Sequence, residues 1–196
     1  MKTCLFLICI AAYAAFSPLN AAAQSRDFLT DDEVEIIRDA QQIDQRVGVL
    51  IHAVDRRFGL LKTNVNAPAF KESKEWGALP EGTRMQLLVD IKRILQKAID
   101  DIDNLSERPD SMVVDPDVTN KKDKKPKGFA NVFPVAVRTL ATAADRYKPA
   151  LKSQLDQTKD TMEKGPILDS LDMCDQITAA VTKLPADAPK PDGKKH

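Results

Sequence analysis

Apolar residues recur three and four positions apart in four separate stretches of this chain, a spacing that favours packed α-helices over any sheet. The first stripe is Ile36, Ala40, Ile43, Val47, Leu50, Val54, and the second is Leu88, Ile91, Leu95, Ala98, Ile102, Leu105. The third runs Val137, Leu140, Ala144, Tyr147, Leu151, Leu155, Met162, and the fourth carries Ile167, Leu171, Cys174, Val181 and Leu184. Near-heptad seams on four helices predict an all-α, antiparallel four-helix bundle over residues 25–184. "SMVVDPDV" is the one β-like stretch, and it is short.

Local signals set the expected ends, with helices over about 31–62, 83–105, 132–162 and 166–184. Thr30 with Glu33, and Thr83 with Gln86, have the spacing of capping boxes. Asp31 and Asp32 suit the positive end of the first helix. Pro109 closes the second helix. Pro149 falls inside the third and predicts a kink there. In "EKGPILDSL", Gly165 reads as a helix end and Pro166 as the next first turn. Two connections are long: 64–82, with Phe70 and Trp76, and the basic loop 106–130. The tail 185–196 has too few apolar residues to order and is expected to be disordered.

The first residues, "MKTCLFLICIAAYAAFSPLNAAAQ", place Lys2 before an apolar run that is followed by small residues. This is the pattern of an export signal, 1–24, cleaved after Ala23. The run is shorter than the roughly 20 residues that span a bilayer. Cys4 and Cys9 lie before or within it, the wrong place for lipidation. Removing 1–24 takes away one base and no acid, so the balanced 29 and 29 charges become a formal −1. Such a balance excludes steering to nucleic acid. It also leaves Cys174 as the sole thiol, so stability must come from burial and not from an internal disulfide.

His52, in "DQRVGVLIHAVDRRF", is the one histidine outside the C-terminus. Positions midway between the seam residues form the column Arg38, Gln45, His52, Gly59, so His52 is expected on the outer face. Its neighbours Asp55 and Arg56 are then solvated. This reading disfavours His52 as a metal or haem ligand. Cys-x-x-Cys-His is absent, and no His or Cys pair has zinc spacing. No cofactor is therefore expected. Cys174 falls on a seam as core filler, with an intermolecular disulfide as the alternative.

Asp100, Asp103 and Glu107, with Asp101 beside them, cluster in the last turns of helix two, where carboxylates oppose the helix dipole. They are weak candidates for a divalent metal, without the Gly-centred loop that wraps calcium. Lys121, Lys122, Lys124, Lys125 and Lys127 form a basic segment that reads first as a soluble loop tip, with a weak membrane-surface or polyanion contact as the alternative. Pairing with Asp100–Glu107 is the remaining reading. Trp76 and Phe70 are expected to cap one end of the bundle, or else to form an aromatic binding loop. Asn104-Leu105-Ser106 matches a glycosylation sequon. Phosphate loops, Gly-x-Ser-x-Gly and His-Glu-x-x-His are all missing, so no enzyme is expected.

The stretch "FLTDDEVEIIRDAQQIDQRVGVLIHAVDRRF", Phe28–Phe58, resembles the N-terminal helix of uncharacterised exported bacterial helical proteins. The resemblance implies a bacterial, extracytoplasmic protein and carries no activity or site residue. The expectation is a non-enzymatic, exported module that binds a protein or an envelope component through Trp76 and the lysines. The alternative is a bundle binding a small ligand or divalent metal.

Overall fold

A computed structural model describes residues 26–67, 74–109 and 128–185. The described residues are all-helical, with no β-strand: α1 (Asp31–Asp39), α2 (Ile43–Leu60), α3 (Arg84–Glu107), α4 (Phe129–Gln157) and α5 (Thr161–Ala180). A 3-10 turn, Val181–Lys183, follows α5. The expected signal 1–24, Phe70, the five candidate lysines and the tail from 186 onward lie outside the described residues.

The single helix expected over 31–62 is two helices. α1 opens on the Thr30–Glu33 capping box and ends at Ala40, where ψ is 81°. Gln42 then restarts the chain with extended backbone. No Gly or Pro marks this break. Ala40 and Ile43 are buried on either side of it, and the Arg46 guanidinium donates to the freed Ala40 carbonyl at 3.1 Å. Tertiary packing overrides three residues that are individually compatible with helix.

α4 runs unbroken through Pro134 and Pro149, and α5 contains Pro166. Pro149 and Asp145, the residue whose carbonyl it leaves unpaired, are both exposed, so solvent replaces the missing bond. The turn between α4 and α5 lies earlier than Gly165. Asp160 caps α5, its carboxylate accepting from the Met162 amide at 2.9 Å. Glu163 then anchors the first turn, receiving the Thr158 hydroxyl and Arg84 Nε.

α2 packs on α3 and α4, and α5 packs on the same two helices, whereas α3 and α4 meet more sparingly. α1 lies against α2. Cross-helix bonds fix directions. Arg84 pairs with Glu163 and Lys92 with Asp169, so α3 and α5 run parallel. Tyr147 reaches Ile51 and Asp55, and Gln154 reaches Thr63, so α2 and α4 run parallel as well. Chain-consecutive helices are antiparallel, but two of the close pairs are not. Val47, Leu50, Val54, Ile91, Leu95, Leu140, Leu151 and Ile167 are among the buried core, as the stripes predict, whereas Met162 falls in α5 and is 70 % exposed.

Candidate functional site

The break after α1 turns that helix back along α2 and brings Glu33 to Arg56 and Arg57. In one straight helix, residues 33 and 56 would stand about 35 Å apart. Instead, Arg56 Nη1 donates to Glu33 Oε1 at 2.8 Å, and Arg57 Nη2 donates to Oε2 at 2.7 Å. Glu33 also accepts from its own cap, the Thr30 amide, at 2.9 Å. Glu33 is 0 % exposed, Arg56 2 % and Arg57 1 %. The expectation that ionisable groups face water is therefore wrong at these positions, and at Asp55 and Asp90, which are also buried.

The network extends to both flanking segments. Arg57 Nη2 donates to the Phe28 carbonyl at 2.8 Å, and its Nε lies 3.9 Å from Asp90 Oδ2. Arg26 pairs with Asp90 and donates to the Glu81 carbonyl. Arg56 Nη2 donates to the Ala78 carbonyl. Burial raises the Asp90 carboxyl above the usual carboxylate range, while Arg26 and then Arg57 pull it back. Three arginines and two carboxylates thus tie residues 26–33 and the 78–81 backbone to α2 and α3.

Held this way, the 74–82 loop lays Trp76 over His52. The rings stack with centroids 3.8 Å apart and planes 25° from parallel. The Arg56 guanidinium carbon lies 5.8 Å from the indole centroid. Gly77, at φ +59°, turns the chain directly after the tryptophan, where a Cβ would run into the Asp32 carboxylate. His52 does point outward on α2, as its column predicts, but Trp76 covers it. Burial, and secondarily Arg56, lower its pKa to about 4, against an opposing pull from Glu33. Trp76 therefore closes over the His52 face of α2.

A second polar cluster fixes the far side of α2. The Tyr147 hydroxyl donates to Asp55 Oδ1 at 2.7 Å, with the Ile51 carbonyl at 3.1 Å. Arg146 bridges Asp55 Oδ2 (3.1 Å) and the Val65 carbonyl (2.9 Å), holding the chain that leaves α2. Burial raises the Asp55 pKa, opposed by the bonds from Tyr147 and Arg146.

The acids singled out from sequence lie apart from both clusters. Asp100, Asp103 and Glu107 are exposed. Asp100 accepts from Gln96 at 2.8 Å, and Asp101 pairs with Lys97 at 3.2 Å. Arg93 and Lys97 share an open groove with Asp100 and Asp101, so a metal cation there would meet fixed positive charge. Among the described residues, no group of three or more His, Cys, Asp or Glu side chains is arranged to hold a metal ion. No described helix is long and apolar enough to cross a membrane. Cys174 is buried, and burial pushes its thiol up to about 12 against a smaller opposing pull from Lys148. Comparison with protein-family models, curated proteins and solved structures returned no match.

The sequence did carry one signal of the arginine–carboxylate network. Asp90 interrupts "LLVDI" between four apolar residues, and Asp55-Arg56-Arg57 interrupts an apolar run from Val47 to Leu61. Where such embedded charges are buried they must be paired, as Asp55, Arg56, Arg57 and Asp90 are.

Proposed function

We propose that this chain is an exported, non-enzymatic binding module: α2–α5 form a four-helix bundle and the Trp76 loop is its contact surface. One observation carries the reading. Burying the Arg56 charge is costly, and Arg56 and the partly exposed Arg26 each give a hydrogen bond to a carbonyl of the 78–81 segment. A loop fixed by its backbone presents its aromatic side chain with little ordering entropy left to lose on binding, and tryptophan is enriched at interface hot spots. The signal-like 1–24 segment supports export, and the Phe28–Phe58 resemblance supports a bacterial envelope setting. Lys121–Lys127 supply a second, electrostatic surface for an anionic envelope component.

A photo-crosslinking residue at exposed position 75, expressed in the full chain, tests the reading in cells. The expected result is export with loss of residues 1–23 and one dominant crosslinked protein, which Trp76→Ala abolishes. Retention of the N-terminal segment in the cytoplasm overturns export, and equal crosslinking by Trp76→Ala overturns the contact surface. Binding to anionic vesicles that survives neutralisation of the five lysines removes the electrostatic surface.

A further inference from the structure

We propose that the Trp76 loop is an acid-released flap whose seat is the neutral imidazole of His52, and whose release follows protonation of that ring. The geometry brings three groups to one point. The indole lies flat on the imidazole at 3.8 Å, removing water from one face of the ring. Arg56, one turn further along α2, already places a cation 5.8 Å from the same indole. Gly77 turns the chain immediately beyond Trp76, leaving the indole at the edge of the segment that the Ala78 and Glu81 carbonyls anchor.

A proton on His52 adds a second cation beside Arg56 in a half-buried place. Imidazolium on indole is attractive in isolation. Here the indole is shared with a guanidinium, and the ring must give up hydration to stay beneath it. Of the charged groups near His52, Arg56 on α2 opposes protonation, and Glu33 on α1 favours it but is committed to two arginines. The balance lies with the neutral ring, whose pKa is lowered to about 4. A lowered histidine pKa means that the covered state is fully favoured above the ordinary value of 6.5 and loses its advantage as pH falls from there toward 4. Asp90 titrates in the opposite sense. Its raised pKa makes protonation favour the folded arrangement, so it does not drive release.

The flap motion rests on the contact-surface reading only for its purpose; the motion itself is read without any partner. Trp76 is the chain's one tryptophan, so its fluorescence reports the loop alone. Titrating the full chain from pH 7.5 to 3.5, with far-UV circular dichroism followed in parallel, is expected to show a change in Trp76 emission between pH 6 and 4 while helix signal persists. His52→Phe keeps an aromatic seat with no titrating group and is expected to abolish that change. An emission transition unaltered in His52→Phe, or one coincident with loss of helix, overturns the proposal. A second measurement does not depend on the variant folding: proton NMR of the His52 ring. Titration of that ring well below 6 supports the seat, and titration near 6.5 overturns it. Failure of either leaves the crosslinking test of the contact surface unaffected, and the reverse holds as well.

Discussion

Glu33 and Arg57, 24 residues apart in the chain, meet through Arg57 Nη2 on Glu33 Oε2 at 2.7 Å in a place with no solvent access to either. Removing a carboxylate that serves two buried guanidiniums leaves Arg56 without a carboxylate partner and Arg57 with Asp90 alone, 3.9 Å away. Breaking such a group from one side typically costs about 3–5 kcal/mol. Glu33→Gln preserves volume and one acceptor but not the charge, so its urea midpoint is expected to fall by the equivalent of about 3 kcal/mol. A loss under 1 kcal/mol would mean that water reaches Arg56 and Arg57. Glu35→Gln, in the exposed Glu35–Arg38 pair, is the control and is expected to change stability by less than about 0.5 kcal/mol.

The helical class, the seams and both capping boxes were legible because each rests on residues within a few positions of one another. Thr83 and Gln86, for example, cap α3 as their spacing predicts. The break at Ala40–Gln42 was not legible, because alanine and glutamine carry no stop signal and the cause lies in Glu33 reaching Arg56. The misreading of Arg56 as solvated came from the same source, because a helix that folds back buries what an isolated helix exposes; Asp55 is buried instead by Tyr147 and Arg146 of α4. His52 was half legible. Its outward direction follows from helix periodicity, whereas the ring that covers it arrives from a loop with no periodicity at all.

Tyr147 predicts an unusual alkaline titration. Its ring is buried and its hydroxyl faces the Asp55 carboxylate, and both raise its pKa well above 10. In a Tyr13→Phe chain, Tyr147 is the one remaining tyrosine. Phenolate absorbance is expected to appear only together with unfolding. A smooth rise near pH 10 with helix intact would show that the hydroxyl is open to solvent. Tyr147→Phe, which strips Asp55 of this donor, is expected to cost about 1–3 kcal/mol.

Cys174 is expected to behave as an inert hydrophobe. With its thiol pushed up to about 12, thiolate is negligible at neutral pH. In a chain carrying Cys4→Ser and Cys9→Ser, a disulfide reagent at pH 8 is expected to leave the native protein unmodified and to react fully in denaturant. Rapid native labelling, or a disulfide-linked dimer on non-reducing gels, would revive the intermolecular bridge that a lone thiol allows.

Gly77 ties the conformation of the Trp76 loop to α1. At φ +59° an alanine pays roughly 1–2 kcal/mol in backbone strain, and its Cβ also strikes the Asp32 carboxylate. The two penalties separate experimentally. Gly77→Ala is expected to shift Trp76 emission toward that of exposed indole, with helix content unchanged, because the strain acts on a loop and not on a seam. Adding Asp32→Ala removes the collision and leaves the dihedral cost, so emission is expected to return part of the way. Full restoration would assign the whole effect to the collision, and no restoration would assign it to the backbone. Emission unchanged by Gly77→Ala would mean that the His52–Trp76 stack does not depend on this turn, and that the Ala78 and Glu81 carbonyls alone hold the loop in place.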